Sequence, residues 1–262
     1  MPDEPQTWHY GLVARWWAEF NVASPTELAH YRAIIERYGQ PALDLGCGTG
    51  RILLPLLRTG LDVDGCDVSP DMLARCREQA ARDSLEPRLY AQAGHDLDLP
   101  RAYRIIYICD SFGIVGGADT LRRCYQHLAP GGALVFNLSL PYKKPDDWRY
   151  WLPDERRMLP EAWRATGTRR RTASGDEIEL RSRLVDFDPL EQRVTTQMRA
   201  TLWREGVAVT EEEYTLRQHL YFRNELLALL AKAGFEDVAM YGADGETPAS
   251  ANDVDVVFVG RK

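Results

Sequence analysis

The chain has 262 residues, of which 45% are hydrophobic and 27% charged, and its formal net charge at neutral pH is -7. That length suits one sizeable core, or a core carrying a substantial insertion, rather than two independent domains. The composition excludes a disordered chain, no apolar run approaches the roughly 20 residues of a membrane span, and net acidity disfavours a polyanion partner such as nucleic acid.

The first residues, Met1-Pro2-Asp3-Glu4-Pro5, have neither a basic start nor a continuous apolar stretch. They do not read as a secretory leader, and a cytoplasmic protein is expected. The five cysteines, Cys47, Cys66, Cys76, Cys109 and Cys124, contain no CxxC pair and are expected as reduced, mostly buried thiols. Trp8 to Phe20 then packs five aromatics into thirteen residues, on more than one face of a helix. Such a stripe is often plain core.

From Leu43 to Phe136 short apolar runs alternate with amphipathic stretches. "PALDL", "LDVDGCDV", "RLYAQA", "RIIYICDS" and "ALVFNLS" read as buried strands. Helices are predicted over Gly50 to Thr59, from the Ser69-Pro70 pair onward, and over Asp119 to Leu128, where Ala129-Pro130-Gly131-Gly132 stops the last one. Ser69 suits an N-cap with Pro70 in the first turn. Alternation of this kind implies βαβ units and a parallel sheet.

After Pro141 the rhythm changes. Tyr142 to Trp163, rich in Trp, Pro, Arg and Asp, reads as irregular, and Arg169-Arg170-Arg171 as a solvated loop. Glu177 to Phe187, Arg193 to Trp203 and Val207 to Phe222 alternate with period two and predict an antiparallel meander inserted into the α/β core. A helix over Asn224 to Ala233, closed by Gly234, and strands over Val238 to Tyr241 and Val254 to Val259 complete the chain.

The stretch "ALDLGCGTGR" carries the chemistry. A dinucleotide fingerprint G-x-G-x-x-G counted from Gly46 and Gly48 needs its third glycine at the position of Arg51, so a pyrophosphate-binding, nicotinamide-dependent reading fails on spacing. Asp44 at the end of the first strand would repel phosphate. It suits a ligand bearing positive charge and an amine.

Asp44 followed by Gly46-x-Gly48-x-Gly50 resembles the first motif, D/E-x-G-x-G-x-G, of the class I S-adenosylmethionine-dependent methyltransferases. The resemblance implies an α/β fold: a three-layer Rossmann-like seven-stranded sheet with its last strand antiparallel, plus the inserted antiparallel β meander. It divides the chain into an N-terminal helical lid (1–38), the cofactor-binding core (39–141), the inserted substrate-side sheet (142–222) and the C-terminal part of the core (223–262). It also implies S-adenosylmethionine (SAM) as cofactor, held against Asp44, Gly46, Cys47, Gly48 and Gly50. Asp67, 17 residues beyond Gly50, would accept the ribose hydroxyls, or else cap the helix beginning at Pro70. Val68 and Met72 would flank the adenine or serve as core. In "AGHDLDLP" the family often shows Gly-Asp followed by an apolar residue; here His95 stands in the acid's slot, followed by Asp96 and Leu97, so the adenine contact lies with His95 or Asp96. Asp110 and Ser111 fall in the motif beside the donor sulfonium, with Phe112 on the acceptor side.

In-line methyl transfer needs alignment and water exclusion more than a triad, and no histidine spacing calls for a metal. Resembling small-molecule enzymes close an N-terminal helix over the site, which puts Tyr10 and Trp16 toward the acceptor, with His9 a lesser choice. The meander side offers Tyr142, Trp148, Trp151, Arg217, His219 and Tyr221. A hydroxyl acceptor would need a base, for which His219 and His95 are the candidates, and Tyr10 is a third catalytic candidate. The expected activity is methylation of nitrogen or oxygen on a small molecule, giving S-adenosylhomocysteine. The alternative is a SAM-binding sensor or partner subunit without transferase activity. No basic face or NPPY-like segment points to RNA or protein, no membrane contact is expected, and a homodimer and the acceptor's identity are left open.

Overall fold

A computed structural model describes residues 8–262, the Asp147 side chain excepted, so the expectation drawn from Met1 to Pro5 lies outside the described residues. Two N-terminal helices, α1 (Gly11–Phe20) and α2 (Pro25–Tyr38), precede β1 (Ala42–Leu45). The start of α2 is fixed reciprocally: Ser24 Oγ accepts from the Glu27 N–H, and the Glu27 carboxylate accepts from the Ser24 N–H. Then follow α3 (Leu53–Arg58), β2 (Val63–Asp67), α4 (Pro70–Arg82), β3 (Leu89–Ala91), β4 (Tyr103–Ile108), α5 (Phe112–Val115), α6 (Ala118–His127) and β5 (Leu128–Ser139). As expected, Ser69 caps α4, its Oγ accepting from the Met72 N–H at 3.2 Å.

The irregular stretch after Pro141 holds two short helices, α7 (Pro145–Arg149) and α8 (Pro153–Arg156). Beyond them lie β6 (Thr168–Arg171), β7 (Glu177–Asp188), β8 (Arg193–Arg204) and β9 (Val207–His219), then α9 (Arg223–Ala233), β10 (Asp237–Gly242) and β11 (Asp255–Arg261).

The main sheet has seven strands in the order β10-β11-β5-β4-β1-β2-β3, with only β11 antiparallel to its neighbours, as the expected fold requires. Successive residues of β4 show the layering. Ile105 and Tyr107 join the core under α2, α3 and α4, while Ile106 and Ile108 join the core under α6 and α9. The helix α2, placed by the sequence in a lid, therefore belongs to a core layer through Tyr31, Ile34 and Ile35.

The inserted sheet runs antiparallel in the order β6-β7-β8-β9. Its edge strand β6 corrects the loop expected at Arg169 to Arg171. The strand pairs with β7, and the Arg169 guanidinium lies 4.2 Å from the Trp203 ring centre, so aromatic stacking holds charges that alternation did not mark as strand. The inner face of this sheet, with Ile178, Met198, Ala200, Leu202 and Tyr214, buries Leu12, Val13 and Trp16 of α1.

Asp64 on β2 is fully buried and accepts from Arg88 Nε at 2.7 Å, the Tyr103 hydroxyl at 2.9 Å and Arg101 Nη1 at 3.3 Å. Asp64→Ala is expected to destabilise the protein by about 1–3 kcal/mol in urea unfolding, because the buried Tyr103 hydroxyl loses its acceptor while both guanidinium groups keep Asp62. A loss below about 1 kcal/mol, typical of exposed pairs, would show that the network is solvated.

Candidate active site

The loop after β1 owes its shape to glycines. Gly46 has φ +83°, and a Cβ there would stand 2.7 Å from Ser111 Oγ, so only glycine lets the β1 and β4 crossovers meet. Its N–H and that of Cys47 both donate to the Cys66 carbonyl, at 2.7 and 3.1 Å. Gly50, φ +85°, is a packing glycine: a Cβ would meet Cys76 Sγ and Leu54 Cγ, both at 2.7 Å. It stays outside the cavity that the loop borders.

That cavity, about 640 Å³, opens at the carboxyl ends of β1, β2 and β4. Such a crevice is where open α/β sheets bind ligands. It gathers most of the expected cofactor residues: Asp44, Gly46, Cys47, Gly48, Asp67, Val68, Met72, His95, Asp110 and Ser111. Both Asp67 oxygens are already oriented, Oδ2 by the Gly48 N–H at 2.9 Å and Oδ1 by the Ser69 N–H at 2.8 Å. A carboxylate so held retains lone pairs for hydroxyl donors.

Arg51, the residue that broke the dinucleotide spacing, lines the same cavity. Its guanidinium pairs with Glu27 of α2 and reaches Cys109 Sγ and Asp110 Oδ2, each at 3.1 Å. Burial opposes its charge, but these three neighbours outweigh burial and hold it protonated. Glu27, Cys109 and Asp110 come close enough together to suggest a metal site; the guanidinium contacts all three and supplies the positive charge there. Asp110 itself has the left-handed φ of +54°, unusual for a residue with a side chain. Asn137 compensates, accepting from the Asp110 N–H at 2.8 Å and donating to its carboxylate. Local strain of this kind clusters at functional sites.

Asp44 is buried to 2% exposure, and desolvation pushes its pKa up to about 7; the facing Tyr107 hydroxyl and Arg51 pull it down, while Asp67 adds to the rise. Among the described residues the Tyr107 hydroxyl has no hydrogen-bond partner of good geometry, and Ser111 Oγ, Trp17 Nε1 and His9 Nε2 around the cavity are likewise buried without one. His9 also lines the cavity, and burial lowers its pKa to about 4.

Several expected residues turn elsewhere. Leu97 is fully buried core, Asp96 is exposed beside His95, and the His95 side chain, 62% exposed, stands at the cavity's rim. Phe112 does not face an acceptor: it stacks on Phe136 at 3.9 Å and meets Tyr221 edge-on, both within the core. Tyr10 packs edge-on against Tyr214, and Trp16 against Phe20, because α1 must bury its apolar face on the inserted sheet. Trp151 packs on Phe187 and Phe222, as does Trp148 on Trp151, while Tyr142 and Arg217 are exposed. His219 contacts Glu225 at 3.4 Å, outside the cavity lining. In their place stand Trp8, His9, Trp17, Asn21, Met198 and Gln218. Of these the sequence marked His9, as a lesser choice, and the aromatic density before α1, since neither the turn of that helix nor the inward face of β8 and β9 could be phased without the partner surface.

Residues 42–132 match the family described as a methyltransferase domain. The chain is 28% identical over 144 residues to a ubiquinone biosynthesis O-methyltransferase of Photorhabdus laumondii, covering 51% of this chain and 60% of that protein. It spans about half the length of the curated relatives it matches. Its fold is shared with a SAM-dependent methyltransferase from Clostridium acetobutylicum (TM-score 0.69, 16% identity, 95% and 96% of the two chains) and with the sugar N-methyltransferase KedS8 from Streptoalloteichus (TM-score 0.69, 18% identity, 100% and 99%). Residues 42–132 therefore carry a methyltransferase domain, and the sheet order is that of the class I SAM-dependent methyltransferases the sequence resembles.

The buried Asp44 has a pH consequence. The unfolded chain releases this proton near the ordinary value of 3.8 and the folded chain only near 7, so between these values the folded state binds more protons. Stability contributed by Asp44 is therefore greatest in acid and is lost as pH rises through this window. Relative to Asp44→Asn, the wild-type midpoint of thermal unfolding is expected to fall between about pH 4 and about pH 7, the span between the two values. A constant offset would mean that Asp44 is ionised throughout.

Proposed function

We propose that the protein transfers the methyl group of SAM to nitrogen or oxygen of a small-molecule acceptor. The carrying observation is the convergence of Asp44, Asp67 and Arg51 on one cavity beside a glycine loop with no room for side chains. The donor set fits: two acids suit a cationic nucleoside with vicinal hydroxyls, and a guanidinium suits the carboxylate of its amino-acid portion. The buried polar atoms without partners at the cavity support the same reading.

When bound, SAM supplies an electrophilic methyl on a sulfonium, so no protein nucleophile is called for. The residues of the chain bind and orient. Asp67, its rotamer fixed by backbone contacts, would accept the ribose hydroxyls. Asp44 would offer negative charge to the amino end, and Arg51, kept charged by Glu27 and Asp110, would hold the carboxylate. Val68 and Met72, which line the cavity, would flank the base, and the segment before α1 together with β8 and β9 would wall off the acceptor side.

The names of the relatives, an O-methyltransferase by sequence and a sugar N-methyltransferase by fold, support a small acceptor. No helix among the described residues is long and apolar enough to cross a membrane. Calorimetric titration should show binding of SAM and none of NADH, and incubation with labelled SAM and a metabolite extract should yield a product one methylene heavier. SAM bound without any transfer would leave the protein a sensor or partner subunit; preference for NADH would end the reading. Asp67→Ala, if folded, is expected to weaken SAM binding by about 1.5–3 kcal/mol, the worth of hydrogen bonds to a charged group. Unchanged affinity would refute its ribose role.

A further inference from the structure

We propose that the acceptor is an uncharged molecule with a flat apolar body, and that the Gln218 amide selects it by hydrogen bonding to a neutral polar group on that body. This deepens the methyl-transfer reading and rests on it. The cavity wall built by the N-terminal segment and the inserted sheet is apolar at Trp8, Trp17, Met198 and Leu216, and polar but uncharged at Asn21 and Gln218. The two indoles offer planar apolar surfaces that suit a ring system. His9 on the same wall is neutral, since burial lowers its pKa to about 4. The carboxylates and the guanidinium of the lining, Asp44, Arg51, Asp67 and Asp110, come instead from the carboxyl ends of β1, β2 and β4 and the loop after β1. Asp110 is already engaged by Arg51 and Asn137. An ammonium or carboxylate on the acceptor would leave water and meet no countercharge on its own wall.

Gln218 owes its place to strand alternation. Tyr214, Leu216 and Gln218 share one face of β9; Tyr214 is buried against α1, and the next two carry that face into the cavity. At the level of Gln218 the inserted sheet meets α5, where a Cβ on Gly113 would stand 3.0 Å from the His219 carbonyl oxygen and 3.9 Å from Gln218 Cβ. The helix α5 begins directly after Asp110 and Ser111, so Gln218 lies at the seam between the apolar wall and the charged end of the cavity. Its side chain is half-buried, and its amide, which can both donate and accept, makes no hydrogen bond among the described residues. Arg217, its neighbour on the other face of the strand, is exposed and outside the lining, so no cation backs the amide from there.

The test holds the ring system constant and changes its charge. With S-adenosylhomocysteine present at about pH 7, 1-naphthol is neutral, 1-naphthylmethylamine cationic and 1-naphthoate anionic, and naphthalene lacks a polar group. Binding is read from quenching of tryptophan fluorescence. Wild type is expected to bind naphthol at least about tenfold more tightly than either charged probe, and about fivefold to tenfold more tightly than naphthalene. Gln218→Met is expected to abolish the advantage over naphthalene, and Gln218→Glu to make the amine the preferred probe, with affinity for S-adenosylhomocysteine unchanged in both. Loss of all probes alike in the variants would assign Gln218 a packing role and overturn its selecting role, as would an unaltered ranking. The wild-type ranking needs no variant: preference for the amine or the naphthoate, or failure of all four probes to bind, would overturn the acceptor class. Calorimetry separates the two levels: failure of wild type to bind SAM sinks the methyl-transfer reading, whereas SAM bound together with a preference for a charged probe sinks this inference alone.

Discussion

Asp44 is a carboxyl group taken out of water at the end of the central strand, and the surrounding architecture follows from tolerating it. Its strand neighbours β2 and β4 are hydrogen-bonded on both sides, so the group can escape neither sideways nor downward. Above it the chain must turn without side chains, which Gly46 allows, and the turn is tied to Cys66 by two backbone hydrogen bonds. Within this frame Arg51 and Tyr107 lower the cost of the charge without removing it. A desolvated acid of this kind gains most from a cationic ligand.

The second constraint is that α1 cannot stand alone. Ten residues with Trp16, Leu12 and Val13 buried need a surface, and the inserted sheet provides it. The tips of this arrangement are fastened by polar contacts: the Leu12 N–H donates to both Glu212 and the Tyr214 hydroxyl, and the Gly11 N–H donates to Asp71 of α4. One helix thus links the insertion to the element that starts beside Asp67. Trp17 and His9, on the remaining edge, are left to face the cavity.

The half of the molecule that packs the sheet was legible in the sequence, because apolar runs, caps and glycine spacing are local signals. Ser69 as cap and Gly234 as a left-handed stop needed no tertiary information. Motif spacing also picked out Asp44, Gly46, Gly48 and Asp67, which the structure brings to one cavity, whereas Arg51 signalled only that a dinucleotide was wrong; its pairing with Glu27 depends on where α2 packs. On the acceptor side, composition marked the region but not the facing. Trp16 and Trp17 are adjacent in sequence and point about 100° apart on a helix, and only the contact with β8 decides which is core. Phe112 and Leu97 sit at motif positions yet fill the core, since a motif specifies a backbone turn and leaves the direction of the neighbouring side chain to packing.

The cavity's lining also divides along the chain. Asp44, Arg51, Asp67, Met72, His95 and Asp110 fall inside 42–132, the interval shared with the wider family, while Trp8, His9, Trp17, Met198 and Gln218 fall outside it. On the proposed function, donor and acceptor recognition would therefore be encoded in separable stretches of the gene product. An exchange of the N-terminal segment and inserted sheet between relatives would redirect the chemistry to a new molecule without rebuilding the nucleoside pocket. For the same reason, kinship measured over the shared interval is informative about the methyl donor and silent about what receives the methyl.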